Sequence, residues 1–561
     1  MRNIVKAKID LALKSLGFNL PGYSVDEPPS REMGDYSTNV AMVASGLEKK
    51  NPREIAQKIQ SELSKDPEIE SVEIAGPGFI NIALKSDLYT EELSKILEEG
   101  SKYGSSEIGK GKTINVEYVS ANPTGPLHIG NARSGPIGEA VANLFEFNSY
   151  GVTKEFYVND IGVQIGRFGK SLFHWCAIKS DPKIEFPEGG YPGEYIQETS
   201  EKIQKEFGDE IAHLDNDQEK IDFFARKGLN VMVANIKSDL ELAGINIHTF
   251  SYESKIINSG KSKIVIDRLK EKGFVAEKDG AVWFKNPEDP DLMDNDAVLA
   301  KSDEEKSLTY FANDIAYHLD KIDRGADKLF DIWGANHFGH IPRMKAALRA
   351  LGCPDETLEI VLYQYVRLKK SGVASSMGKR LGNFVTLRAV IEAGVEADAF
   401  KYFILSQNAN TPMDFDIELA AEKSEKNPVY YIKYAHARIC SILKKIEEQG
   451  TPLRQGFAGQ VSDQERGDLS LLKDEKEIAL YKELVKFPEI VEETLVDFQT
   501  QRLPHFAYKI AALFHDFYNS CSVIDAGSKE LVSARLSLII ATKNILANTL
   551  KICGIKAPEK M

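Results

Sequence analysis

In the first eighteen residues, MRNIVKAKIDLALKSLGF, the apolar positions are interrupted by Lys6, Lys8, Asp10 and Lys14. That spacing predicts an amphipathic helix rather than the unbroken apolar core of a secretory signal. Residues 71–84 read as two β-rich runs around the turn Gly76-Pro77-Gly78. The stretch 100–112, rich in Gly, Ser and Lys, reads as a linker. From 112 to about 420, short β-branched runs alternate with helical patterns, which predicts a parallel α/β core. Within it, about 181–301 reads as an insertion, with the cluster PEGGYPGEY, long polar helical stretches and most of an acidic run at 288–305. That run lacks the ordered spacing and central glycine of a calcium loop, so it is read as solvated surface. After Asn427-Pro428 the pattern is almost all helical. Val532, Leu536, Ile539, Leu546 and Leu550 recur three, four or seven apart. The expected division is 1–108 (α+β), 109–420 (α/β) and 421–561 (all-α), with no internal repeat.

Composition sets bounds on this picture. A chain of 561 residues, at roughly 100–200 per domain, predicts about three or four domains. Hydrophobic residues at 42% and charged residues at 27% exclude a disordered, collagenous or coiled-coil chain. No run is long and apolar enough for a membrane span, so no membrane role is expected. The five cysteines are scattered and never form C-x-x-C. This argues against a disulfide framework or a structural zinc and for a reducing cytoplasm, with no metal site expected. The net charge of −14 does not advertise a polyanion binder, yet 501–561 carries eight basic and four acidic residues, a local +4. A basic end on an acidic body permits a local polyanion surface, with a solvated helix face as the plainer reading.

The strongest local signal is TINVEYVSANPTGPLHIGNARSGPIGEAVANLFEF. A strand runs to Val119, Pro123-Thr124-Gly125-Pro126 breaks it, and a helix is expected over 129–147. His128 stands at the junction. A strand, a turn and a helix N-terminus make an anion site, where unpaired N–H groups and the positive dipole end point at the ligand. An imidazole there can donate to a phosphate oxygen. Ala132, Gly135 and Gly138 share a helix face despite the cost of about 1 kcal/mol per helical glycine. Either a nucleobase or a neighbouring strand approaching closely would account for them. A second signal, VRLKKSGVASSMGKRLGNFVTLRAVIE, places Lys369, Lys370, Lys379 and Arg380 around Ser and Gly. Such a basic loop can close on a polyphosphate. Alone, it could be any basic surface turn.

Taken together, the two segments resemble the paired signatures of class I aminoacyl-tRNA synthetases. His128-Ile129-Gly130-Asn131 is similar to the first, His-Ile-Gly-His; Ser376-Met377-Gly378-Lys379-Arg380 is similar to the second, Lys-Met-Ser-Lys-Ser. SANPTGPLHIGN, VNDIGVQI, YFANDIAYHLDK, DIWGANHFGHIPRMKAAL, GNFVTL, NPVYYIKYAHARICSIL and GIKAPEKM resemble the arginyl-tRNA synthetases of bacterial type over essentially the whole chain. Departures are Asn131 for the second signature histidine, Ser376 for the first signature lysine, Gly378 for the serine, and Asn336 in a usual Gly-Ala-Asp-His. Lys379 is the lysine left in register. No lysine lies in 120–127 to replace the missing one, and Lys369, Lys370 and Arg380 are candidates.

The resemblance implies a Rossmann-like catalytic domain with an insertion, an N-terminal tRNA-contacting domain and a helical anticodon-binding domain. It implies His128, Asn131 and Lys379 as catalytic residues, and Pro126, His128, Gly130, Asn131, Met377 and Lys379 around ATP. Glu117, Ser120 and Asn122 match positions that hold the arginine ammonium and carboxylate, Tyr310 and Asp314 match the guanidinium site, and His337 lines the same pocket. A carboxylate can grip a planar guanidinium through two parallel bonds that lysine cannot reproduce. Asp160 and Gln164 have a weaker claim, and an N-cap or surface acid is the alternative for Asp314. Tyr431 and Tyr434 are implied at the anticodon loop, with Tyr518 and Met561 weaker candidates. On spacing alone a tyrosine stripe is core packing.

The implied reaction activates arginine with ATP, taken as its Mg2+ complex, and transfers it to the 3′-terminal adenosine of tRNA(Arg). The 2′-hydroxyl is the implied acceptor and activation is implied to need bound tRNA. No prosthetic group is expected, and a cytoplasmic monomer is. Another class I synthetase, a small nucleotidyltransferase and a catalytically decayed tRNA-binding protein are the competing readings. The altered signature residues favour decay; the retained Glu117, His128, Asp314 and Lys379 oppose it.

Overall fold

The computed structural model describes the chain apart from residues 290–291, 293–296, 304–306, 371–372, 376–384 and 449–466. The N-terminal part holds strands β1 (Val25–Asp26), β2 (Tyr36–Thr38), β3 (Ile69–Ala75) and β4 (Phe79–Leu84) in the antiparallel order β1-β2-β4-β3. The expected first helix is Arg2–Ser15; it buries Val5, Ile9, Ala12 and Leu13, the face its spacing defines. The expected hairpin is β3–β4, closed around 76–78 with Ala75 opposite Phe79.

The stretch 100–112 is not a free linker. Tyr103 is buried, and Asn548 of the C-terminal helix donates to the carbonyl of Gly100 at 3.0 Å. One aromatic side chain and the exposed carbonyls of a helix end are enough to dock a segment whose composition looks like a spacer.

The central layer begins with β5 (Thr113–Glu117), β6 (Gly151–Val158) and β7 (Thr249–Tyr252). A small antiparallel sheet follows, made of β8 (Val275–Lys278), β9 (Ala281–Phe284) and β10 (Ala297–Ala300). Then come β11 (Lys328–Gly334) and β12 (Leu358–Tyr363). The main sheet is parallel throughout, in the order β12-β11-β5-β6-β7. It is the Rossmann-like layer that the alternating pattern predicts. Its middle strand β5 is buried except at its first residue, as a strand covered on both faces must be.

The expected insertion at about 181–301 is not a single body outside this sheet. β7 lies within that range yet pairs with β6 as the edge strand. Two excursions flank it. The helices Val163–Ala177, Glu194–Ala212 and Asp217–Leu242 pack around Phe168, Leu172, Ile196 and Phe224, and the β8–β10 sheet lies beyond.

β13 (Val366–Lys370), β14 (Val373–Ser375) and β15 (Met413–Asp416) form a last small sheet. The helical part comprises Pro428–Glu448, Glu475–Leu484, Phe487–Asp497, Arg502–Ser520 and Lys529–Ile552. In the last of these Leu536, Ile539, Leu546 and Leu550 are buried as their spacing predicts, and Val532 is half-buried. The helical part is wedged into the α/β core by Phe498, in left-handed backbone at φ 55°, whose ring lies 4.5 Å from Phe330 and 5.8 Å from Phe145. Among the described residues no helix is long and apolar enough to cross a membrane.

Candidate active site

The turn after β5 is under backbone strain. Val119 and Ser120 have φ of 70° and 34°, a region that L-residues, β-branched ones above all, rarely enter. Their neighbours hold them there. Val119 N–H donates to Ser134 Oγ at 3.1 Å, and Tyr157 N–H donates to Ser120 Oγ at 3.0 Å. The turn ends at His128, which caps Ile129–Ala132 through a bond from Asn131 N–H to its Nδ1 at 3.2 Å. In the neutral ring this leaves the proton on Nε2, the nitrogen that can donate. The helix expected over 129–147 is interrupted at Arg133, because Pro136 has no N–H for the carbonyl of Ala132; it resumes as Ser134–Phe147.

The space beside the two glycines of this helix is filled by protein side chains. A Cβ at Gly138 would come within 2.2 Å of the buried ring of Tyr118, just past β5, and one at Gly135 within 2.5 Å of Ile245.

Arg133, fully buried, ties this helix to the sheet beyond. Its guanidinium donates to the carbonyls of Gln364 (2.7 Å), Thr411 (2.9 Å) and Asn408 (2.9 Å). Burial pulls it down to about 10, so it remains charged at neutral pH. Backbone bonds complete the link: Ile129 N–H to Val385 O at 3.1 Å and Leu387 N–H to Leu127 O at 2.8 Å.

Beyond the turn a cavity of about 520 Å3 opens at the carboxyl ends of β5, β6, β11 and β12. Of the expected arginine-site residues, Glu117, Ser120, Asn122, Tyr310, Asp314 and His337 all line it, with Asn131 and Gln164. Asn122 donates to Gln164 at 3.0 Å. Asp160 does not line it; it holds the start of the helix Glu253–Asn258 by accepting from Ser254 N–H (2.8 Å) and Oγ (2.5 Å). Pro126, His128 and Gly130 lie on the adjoining turn. Met377 and Lys379, with Ser376, Gly378 and Arg380, lie outside the described residues.

The cavity floor is acidic. Glu117 Oε1 accepts from Ser120 Oγ at 2.7 Å, and its Oε2 takes Lys321 Nζ at 2.6 Å. Lys321, fully buried, also reaches Asp331 at 2.8 Å. One ammonium thus serves two carboxylates. Burial pushes Glu117 up; Asp331 is held at about 2, the cost of burial being outweighed by Lys321 and His318. Asp314 is the fifth residue of the helix Tyr310–Asp323, whose N-cap is Thr309, so it is not an N-cap. It shares a face with Tyr310 at i, i+4. His340, which the sequence reading did not single out, meets Asp314 Oδ2 at 3.1 Å, whereas His337 stands at the exposed rim. Tyr310 lies against Gly162, where φ is 91° and a Cβ would come within 2.7 Å of the hydroxyl. Among the described residues no group of three or more His, Cys, Asp or Glu could hold a metal ion. The arrangement suits a cationic substrate beside an anion-binding turn.

Known proteins resolve what this combination belongs to. Residues 3–84 match the arginyl tRNA synthetase N-terminal domain, 92–425 the class I (R) tRNA synthetase catalytic domain, and 432–561 the DALR anticodon-binding domain. The arginine–tRNA ligase of Bacillus licheniformis is 41% identical, covering 100% of this chain and 99% of that protein.

The chain belongs to the arginyl-tRNA synthetases.

The arginine–tRNA ligase of Thermotoga maritima is 39% identical over all of both chains. The solved arginyl-tRNA synthetase of Thermus thermophilus, 21% identical, shares the fold with a TM-score of 0.77, covering 100% of both chains. This arginyl-tRNA synthetase is therefore an arginine–tRNA ligase with ATP, arginine and tRNA(Arg) as substrates. The readings as another class I synthetase or a nucleotidyltransferase fall with the family match.

In the synthetase's helical part, Tyr431 and Tyr434 of Pro428–Glu448 meet one residue of Arg502–Ser520. The His515 ring lies 4.5 Å from Tyr431 and 5.7 Å, near parallel, from Tyr434. Tyr434 is 40% exposed and Tyr508, beside Tyr431, 43%. Tyr518 is held by Arg438, which donates to its hydroxyl at 3.1 Å and covers its ring at 4.9 Å. The terminal segment docks on this helix through Pro558 O and His436 Nδ1 (2.8 Å), and Met561 is exposed.

Proposed function

We propose that arginine occupies the acidic cavity and that ATP, with its Mg2+, lies across the turn 126–131. The observation that carries this reading is a cation-seeking cavity directly beside an anion-seeking turn: Glu117 and Asp314 line the first, His128 caps the second. Asp314, oriented by His340, takes the guanidinium through a bidentate pair. Glu117, Ser120 and Asn122 take the α-amino and carboxylate end, with Tyr310 and His337 closing the mouth. Glu117 accepts from Ser120 and shares the single ammonium of Lys321 with Asp331, so the substrate ammonium joins a carboxylate whose charge is only partly neutralised.

In the first step an arginine carboxylate oxygen attacks the α-phosphorus. The bond to the bridging oxygen breaks, and pyrophosphate leaves with the electron pair. His128 Nε2–H and the Asn131 amide donate to phosphate oxygens, Lys379 neutralises charge on the departing pyrophosphate, and Pro126, Gly130 and Met377 shape the nucleotide's seat. In the second step the 2′-hydroxyl of the terminal adenosine attacks the adenylate carbonyl and AMP leaves.

Residues 1–108 contact tRNA, 109–420 carry the chemistry, and 421–561 read the anticodon loop through Tyr431, Tyr434 and Tyr518. Every assigned residue comes from one chain, so a monomer suffices. The five cysteines are free thiols, in keeping with work in the cytoplasm.

Pyrophosphate exchange across the amino acids, with and without tRNA, tests this reading. Exchange is expected with arginine alone and only when tRNA is bound. Exchange with lysine as good as with arginine contradicts the role of Asp314.

A further inference from the structure

The cavity wall has a second layer that the reaction does not use. Glu253 is the first residue of the helix Glu253–Asn258, directly after β7, and is 1% exposed. Its Oε1 accepts from Asn313 Nδ2 at 3.1 Å, one residue before Asp314. Its Oε2 accepts from the Asn159 amide at 2.9 Å when that nitrogen faces it, the same nitrogen reaching Ile161 O at 3.0 Å. Asn159 lines the cavity.

The charged groups acting on Glu253 are themselves carboxylates: Asp314 of the helix Tyr310–Asp323 and Asp160 of the loop after β6. From β6 the buried hydroxyl of Tyr157 faces the same cluster and has no hydrogen-bond partner. Lys261, on the adjacent helix Lys261–Glu271, is taken up by Asp320 and Asp323. Burial, then Asp314 and Asp160, push Glu253 up to about 7 against the Asn313 bond.

We propose that Glu253 is a positioning residue of the arginine site, anchored by Asn313 and acting through Asn159 to set which hydrogen-bonding group the wall offers to the substrate cation. This rests on the cavity being the arginine pocket. An amide has a donor end and an acceptor end. An ionised carboxylate only accepts, so it draws the NH2 ends of both amides and turns their carbonyl oxygens away from itself. A protonated carboxyl can donate, so Asn159 can reverse and present its nitrogen to the other side. The first arrangement suits a guanidinium; the second opposes it.

Arginine binding and the ionisation of Glu253 are thereby linked. A guanidinium on Asp314 adds a positive charge beside a group that otherwise feels only carboxylates. Binding therefore favours ionised Glu253 and releases a proton. With one linked proton and a free value of about 7, the KM for arginine is expected to fall about tenfold from pH 6 to pH 8 and then level off.

The test measures KM and kcat for arginine across this range with saturating ATP and tRNA, in the full-length wild type, Glu253→Gln and Glu253→Asp. Glu253→Gln should lose the slope in the arginine KM while the ATP KM and kcat at pH 8 stay within about twofold. Glu253→Asp should keep the slope. A Gln variant with the wild-type slope, or one in which kcat falls without any change in the slope, overturns the proposal. Should that variant fail to fold, titration calorimetry of the wild type with arginine in two buffers of different ionisation enthalpy decides: a fraction of a proton released at pH 7 supports it and none overturns it. Asp314→Ala separates the two readings, because an unchanged arginine KM there removes the pocket itself. Loss of arginine use there, alongside an intact slope in Glu253→Gln, removes the role of Glu253 alone.

Discussion

The amide of Leu387 donates to the carbonyl of Leu127 at 2.8 Å, so the residue before His128 is bonded to the segment that follows Lys379. With Ile129 N–H on Val385 O, this makes the first signature and the far flank of the second one backbone unit. Arg133 ties the same helix to Gln364, in the link between β12 and β13. A phosphate chain lying along the turn is thus beside the backbone that follows the second motif. Lys379→Ala is expected to slow adenylate formation by about 10²–10³-fold, the cost of losing one preorganised transition-state contact, with tRNA affinity little changed. Pyrophosphate exchange and filter binding measure the two. Normal activation with poor tRNA binding would make the loop a docking surface.

Asp314→Ala should cripple arginine use and spare ATP. Truncating one partner of a charge pair that substrate seals from water costs about 2–5 kcal/mol, a rise of about 30-fold or more in the arginine KM. His340→Ala should give a smaller effect in the same direction, since it removes the group that orients Asp314 at 3.1 Å. Steady-state kinetics read both. An arginine KM that does not move in Asp314→Ala sinks the pocket assignment.

Lys321 offers a stability measurement. Lys321→Met leaves Glu117 and Asp331 buried without their shared ammonium, a loss of about 3–5 kcal/mol. Urea unfolding should report it, and adding Asp331→Asn should restore part. The pH dependence has a definite sign. Asp331 is depressed in the folded chain, so its contribution is complete above its unfolded value near 3.8 and is lost as pH falls toward about 2. Wild type and Lys321→Met should therefore differ in acid unfolding within that window. Identical midpoints in urea would mean that the pair is not coupled to folding.

Much of this site could be read from local spacing. Tyr310 and Asp314 fall one helical turn apart, and the strand, turn and helix around His128 are contiguous, so periodicity and turn chemistry reveal them. What escaped is set by contacts remote in sequence. Lys321 meets Glu117 across 204 positions, and nothing near either residue announces the other. His340 is one of two histidines three apart, and only the fold decides which reaches Asp314. β7 was hidden in an apparent insertion because four residues, Thr-Phe-Ser-Tyr, are too few for alternation to stand out. The glycines at 135 and 138 were legible as a close approach, but its partners, Ile245 and Tyr118, were not.

The aromatic patch on the helical part should read unpaired bases of the anticodon loop. Tyr431 and Tyr434 flank His515 on adjoining helices, and Tyr434 and Tyr508 keep substantial exposed ring surface. A tyrosine stripe serving only the core has no need of two rings this open. A base stacked on an aromatic ring contributes roughly 1–3 kcal/mol by alanine substitution. Replacing Tyr431 and Tyr434 together should raise the KM for tRNA by about one to a few orders of magnitude. The KM values for ATP and arginine, measured with saturating tRNA, should move little, because that cavity belongs to the α/β core. Lowering the salt should recover only part of the loss, since stacking releases no counterions and phosphate contacts do. Tyr431 is the more enclosed of the two, so Tyr434→Ala alone separates recognition from packing: it should weaken tRNA binding and leave thermal stability near wild type. The deciding comparison uses tRNA with an altered anticodon. Wild-type enzyme should discriminate against it, and the double variant should do so far less. If discrimination survives in full, these tyrosines pack the helices and the anticodon is read elsewhere.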